Sequence, residues 1–158
     1  MSVVLDKRPF NKIKENMLKL NNSSTQAGFF GGKPHDAKGN TEATVALWQE
    51  YGTSTGRGNI SIPERPFMSS TYIIHKGYKR EVSILVKNLM LGRSTTETEL
   101  HSLGKTIATN MQEILWNWSY PANTEATKKR KGFNNPLVEH GALFRNVDHR
   151  TVMKGGRR

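Results

Sequence analysis

The chain has 158 residues, the length of one ordinary domain, and carries 24 Lys and Arg against 13 Asp and Glu, a formal net charge of +11. It contains no cysteine, which excludes a disulfide framework, a thiolate metal site and a cysteine nucleophile together. No stretch approaches the roughly 20 apolar residues of a membrane span, and the opening Met1–Asp6 is too short an apolar run for a secretory segment. A protein made in the cytosol, with no membrane partner, is therefore expected. At 35% hydrophobic residues and a mean hydropathy of -0.64, the chain can build a core yet leaves much polar surface, a composition that favours completing burial in an oligomer.

In chain order, Phe10, Ile13, Met17 and Leu20 recur at three- and four-residue steps and predict an N-terminal amphipathic helix within residues 1–22, ended by Asn21-Asn22-Ser23-Ser24. Residues 25–30, with Ala27, Phe29 and Phe30, read as a strand, and 31–41 as a polar loop. Thr41 with Glu42 and Thr44 opens a second helix, which Tyr51-Gly52 stops. Gly52 to Gly58 is a flexible connection, Ile60-Ser61-Ile62 a strand, and Pro63 and Pro66 hold an extended turn before a helix that starts at Phe67.

From Phe67 the apolar positions Ile74, Tyr78, Val82, Leu85 and Leu89 predict one long helix with Gly77 as its weak point and Gly92 as its stop. Ser94 and Glu97 resemble a capping box, and Leu100, Leu103, Ile107, Met111, Ile114 and Trp118 predict a second long helix antiparallel to the first. The pattern breaks at Tyr120-Pro121. Residues 122–135 read as an extended loop or hairpin, Asn135-Pro136 as a turn, and 143–153 as a strand, while 154–158 form a basic tail. The expectation is a single α+β domain over 1–158: a small, mainly antiparallel sheet packed against two long antiparallel helices, with short helices and long loops.

The charge is local. Residues 1–20 carry +3, 57–93 carry +5 and 124–158 carry +6, whereas 21–56 and 94–123 carry -1 and -2. Lys128, Lys129, Arg130 and Lys131, and the terminal Arg157 and Arg158, are candidates for contact with DNA or an acidic partner, against a bland reading as solvated loop and tail.

A search for chemistry finds no carrier. None of His35, His75, His101, His140 and His149 has a partner at metal-ligand spacing, and no nucleophile elbow or phosphate-binding glycine motif occurs. No catalytic residue, no metal ligand and no cofactor is expected; a small hydrolase built on Glu139 and His140 is the weakest alternative.

Three phrases carry a resemblance: Val45-Ala46-Leu47-Trp48-Gln49-Glu50-Tyr51-Gly52-Thr53, Ile62-Pro63-Glu64-Arg65-Pro66-Phe67-Met68, and Asn135-Pro136-Leu137-Val138-Glu139-His140-Gly141-Ala142-Leu143. In order and spacing, over about residues 25–150, the chain resembles the tail-completion and head-tail joining (virion morphogenesis) proteins of tailed bacteriophages. Gln49 and His140 stand where that family usually has Asn and Thr. The resemblance implies an α+β fold and no enzyme activity. It also implies a homo-oligomeric, hexameric ring in the virion neck, beside the head connector or stopper and the tail terminator, tube or sheath proteins, around the genomic DNA.

In that setting the residues have physical roles. Pro63 and Pro66 set φ, Arg65 offers a rigid donor fork, Phe67 plugs a sheet-helix junction, and Gly52 and Gly141 take positive φ. Trp48, Trp116 and Trp118 are the expected interface anchors, with Trp118 on the core stripe and Trp116 off it. Tyr51, Pro136, Leu137 and Leu143 complete the motif residues. The competing function class is a basic nucleic-acid-binding protein, and a tail terminator or stopper ring is the alternative within the phage reading.

Overall fold

The structure is a computed structural model and describes residues 6–32, 39–54, 60–138 and 141–153. Its elements are α1 (Arg8–Asn21), β1 (Ser23–Gly28), α2 (Glu42–Tyr51), β2 (Thr53–Ser54), β3 (Ile60–Ile62), α3 (Phe67–Ile74), α4 (Lys79–Met90), α5 (Thr96–Asn117), α6 (Glu125–Lys131), α7 (Ala142–Asn146) and β4 (Asp148–Met153). The class is α+β. Residues 33–38 of the expected loop, residues 55–58 of the expected 52–58 connection, Glu139, His140 and the tail with Arg157 and Arg158 lie outside the described residues.

Three helices open on the same local device. Thr41, Thr95 and Thr124 each accept a hydrogen bond from the backbone N–H three residues on, at Thr44, Thr98 and Thr127, and the paired hydroxyls stand 2.9–3.0 Å apart. Each cap satisfies one of the orphan donors of the first helical turn, and Glu42, Glu97 and Glu125 add negative charge where the helix dipole favours it. The cap of α5 is thus Thr95, one residue beyond the expected Ser94.

The chain forms two compact units, neither of them a continuous stretch. The first comprises residues 1–26, 78–106 and 149–158, the second 27–77 and 107–148. In the first, Leu85, Leu89 and Leu100 form a buried cluster against which Met17, Leu20, Leu103 and Met153 pack. Asn16 of α1, 5% exposed, donates to the Ser94 carbonyl, and its own carbonyl accepts from the Thr96 hydroxyl, which ties α1 to the start of α5. β1 pairs with β4 beside this cluster. In the second unit Ala46, Phe67, Ala108, Met111, Leu115, Leu137, Leu143 and Val147 make the core, with Phe29 set edge-on to Phe67 at 6.0 Å.

Four expectations are corrected. The helix expected to run on from Phe67 is two helices: Lys76, Gly77 and Tyr78 have φ of 50, 66 and 57°, so the chain leaves the right-handed region for three successive residues between α3 and α4. Gly77 is not merely a weak point. Its absent side chain leaves room for the Tyr72 hydroxyl, which a Cβ would meet at 2.8 Å. Among the described residues only α5, at 22 residues, is a long helix.

The single sheet is replaced by two separate two-stranded pairs, β1 with β4 and β2 antiparallel to β3. Residues 122–135 contain a helix rather than a hairpin, because Thr124 caps it, basic side chains fill its last turn, and Gly132 closes it at φ 77° with its N–H on the Lys128 carbonyl. Finally, 143–146 belongs to α7, Val147 is its extended C-cap, and the strand begins at Asp148.

Candidate functional site

The three phrases that are distant in sequence meet in the second unit. The last turn of α2 presents Gln49 and Glu50 to the start of α3. Met68 and Ser69 donate their backbone N–H groups to the Glu50 carboxylate at 2.8 and 3.0 Å, and the Ser69 hydroxyl donates at 2.6 Å. Pro66 at the N-cap has no side chain able to cap, so a carboxylate from another helix takes that place. The positive end of the α3 dipole and these bonds compensate the burial of Glu50, which is only 2% exposed.

Arg65 completes the frame. Its backbone N–H donates to the Gln49 carbonyl at 2.7 Å, Nη1 to Gln49 Oε1 at 2.7 Å and Nε to the Pro121 carbonyl at 3.1 Å. Burial lowers the pKa of this guanidinium from its ordinary value, and neutral oxygens hold it in place. Gly52 has φ 69°, and a Cβ there would lie 2.9 Å from the Ile62 carbonyl oxygen, so the antiparallel Thr53–Ile62 pairing can close only on glycine.

The third phrase is fixed by Asn135. Its Oδ1 accepts from the N–H groups of Leu137 and Val138 at 2.9 and 3.0 Å, while Nδ2 donates to the carbonyls of Leu115 and Trp116 near the end of α5. This seats Pro136, Leu137 and Val138 in buried positions, and Leu143 joins Phe67 in the core. Gly141 takes φ 70° at the start of α7. Arg65, Phe67, Pro136, Leu137 and Leu143 are therefore internal and scaffold the unit. Reading the sequence missed Glu50 and Asn135 as polar anchors; the Asn-Pro step was the available signal for the second.

What faces outward is apolar. Tyr51 is 71% exposed, Tyr72, Ile73 and Ile74 of α3 are 64, 71 and 62% exposed, and Tyr120 is 80% exposed. Trp48 is half-buried. Trp116 stands 58% exposed and edge-on to Phe144 at 5.7 Å, beside an open cleft of about 500 Å³ lined by Thr109, Gln112, Glu113 and Asn117. A second cleft, of about 330 Å³, runs past Ser70, Ile74, Trp118 and Tyr120, and there the buried Trp118 Nε1 donor has no acceptor among the described residues.

The basic run is less available than its sequence implies. Lys128 pairs with Glu125 at 2.7 Å, and Lys131 donates to the Asn135 carbonyl at 2.8 Å while lying 5.1 Å from the Phe133 ring centroid. Lys129 and Arg130 are exposed. All four sit in the last turn of α6, where positive charge complements the carbonyl end of the helix.

Among the described residues no three His, Asp or Glu side chains gather as metal ligands, and no helix is long and apolar enough to cross a membrane. His75 meets Asn110 at 3.3 Å, and His101 meets His149. No family model, curated protein or solved structure matches the chain.

Proposed function

We propose that this protein is a structural assembly component that closes into a homo-oligomeric, hexameric ring at the head-tail junction of a tailed phage, with no enzyme activity. The carrying observation is the outward face of α3, where Tyr72, Ile73 and Ile74 follow one another with more than 60% of each exposed. A run of large apolar side chains left in water marks an interaction surface, because burying it releases about 25 cal/mol per Å². Trp116, Tyr120 and the unpaired Trp118 Nε1 donor extend that character over the two clefts of the same unit. The two-stranded β pairs also leave backbone edges that a neighbour's strand can join. The three-phrase resemblance supplies the setting: a virion neck, with connector or stopper on one side and terminator, tube or sheath on the other.

The experiment is sedimentation of the purified full chain across concentration, alone and with its neck neighbours, beside a Tyr72→Glu/Ile73→Glu variant. Discrete rings that the variant cannot form are expected. A chain that stays monomeric with every neighbour, together with virions that keep joined, infectious tails without it, would overturn the reading.

The net charge of +11 and the exposed Lys129 and Arg130 support nucleic-acid binding as the second reading. It predicts an affinity for duplex DNA that falls steeply with salt and drops when Lys129 and Arg130 are neutralised. Binding indifferent to salt would exclude it.

A further inference from the structure

In the first unit, His149 Nε2 on β4 lies 3.1 Å from His101 Nδ1 on α5, with ring centroids 4.5 Å apart and planes at 60°. The backbone builds this approach. Gly104 lies in the interior of α5, one turn beyond His101; a Cβ there would stand 2.9 Å from His149 Cδ2 and 3.2 Å from His149 Cβ, and would overlap the Thr25 hydroxyl. A helix-interior glycine costs about 1 kcal/mol relative to alanine, and here it opens the space that lets the β4 histidine reach the helix.

We propose that His101 and His149 form a two-ligand site for a divalent transition metal of the imidazole-preferring class, Zn²⁺, Ni²⁺ or Cu²⁺, a role beyond the assembly reading and independent of it. Metal–imidazole bonds of about 2.0–2.1 Å put two neighbouring ligand nitrogens roughly 3.0 Å apart in octahedral geometry and roughly 3.3 Å apart in tetrahedral geometry. The observed 3.1 Å falls between them. An ion bonded to both nitrogens would lie roughly 1.3 Å to one side of the line that joins them, with each ring's lone pair turned toward it.

The proton balance is simple. Whichever ring donates the hydrogen bond moves that proton to its own second nitrogen, so both rings stay neutral and both lone pairs turn to the ion. Water completes the coordination, since no third His, Asp or Glu converges there among the described residues. His101 is exposed and His149 half-buried, so an ion reaches the pair from solvent. Glu97 and Lys105 lie one turn to either side of His101, Asp148 and Arg150 flank His149, and Thr25 is the neighbour from β1. Opposite charges balance locally, and the distant excess of positive charge is screened within about 8 Å at physiological salt.

The test uses the untagged full chain near pH 7.5 in a non-chelating buffer, titrated calorimetrically with zinc or nickel chloride, together with nickel-induced broadening of its amide resonances. Uptake of a single ion is expected, with broadening centred on Thr25, His101, Gly104 and His149. Affinity should fall at least about tenfold in His101→Ala and in His149→Ala, and remain in His75→Ala. No uptake up to millimolar metal, binding unchanged in both variants, or broadening centred elsewhere would overturn the site. The broadening is read on the unaltered chain, so the test stands even where a variant fails to fold.

Discussion

Glu50 shows how one side chain decides a local structure. Its carboxylate caps α3 from outside that helix, and Glu50→Gln keeps the shape while removing the charge that complements the helix N-terminus. Denaturant unfolding should give a loss of about 1–2 kcal/mol with an unchanged denaturant slope. Arg65→Lys should cost a similar amount, about 1–2 kcal/mol, because an ammonium cannot reach Gln49 Oε1 and the Pro121 carbonyl in the planar arrangement the guanidinium holds.

Gly104→Ala sets two effects against each other. Helix propensity gains about 1 kcal/mol, while forcing a Cβ into His149 and Thr25 costs typically 1–3 kcal/mol. The clash wins, since the Thr25 hydroxyl and the His149 ring would both have to shift, and His149 Cβ, at 3.2 Å, is held by the backbone of β4. A net loss of about 1–2 kcal/mol is expected, partly relieved when Thr25→Ala is added in a double-mutant cycle.

Among the elements, the helix starts were the legible ones. Thr41 with Glu42 and Thr44 signalled α2, and the same Thr-Glu-x-Thr order recurs at α6, where length and charge argued for a loop instead. Thr124→Ala should remove a capping bond worth about 1 kcal/mol, and amide exchange should quicken through 125–131 before it changes elsewhere. The helix running on from Phe67 was misread for a different reason. Apolar spacing continues unbroken past Gly77, so periodicity carries no sign of the reversal at Lys76–Tyr78. Gly77 takes φ 66° at the centre of that break, and the Tyr72 hydroxyl stands where its side chain would be. Gly77→Ala should accordingly destabilise by at least about 1 kcal/mol, measured by thermal or denaturant unfolding.

At the level of the whole molecule, the two units differ in the size of their cores. Among the described residues the core cluster of the second is Ala46, Phe67, Ala108, Met111, Leu115, Leu137, Leu143 and Val147, and that of the first is Leu85, Leu89 and Leu100. Hydrogen exchange should therefore be slower in the 107–117 half of α5 than in the 96–106 half, although both belong to one helix. Equal protection along α5 would show that the two clusters unfold together.

The sequence by itself determined the local features. The apolar stripes of α1 and α5, the stop at Gly92, the positive φ of Gly52 and Gly141, the start of α3 at Phe67 and the placing of Trp118 inward and Trp116 outward all follow from short-range sterics, capping and 3.6-residue periodicity. Only the tertiary structure decided which distant groups meet: Glu50 with the N-terminus of α3, Arg65 with Gln49 and Pro121, Asn135 with the end of α5, and His101 with His149. The α+β class could be read, whereas the split into two β pairs and two discontinuous units could not. Pairing between residues far apart in the chain depends on the space and the unpaired hydrogen-bonding groups that each folded element leaves for the next, and no local pattern encodes them.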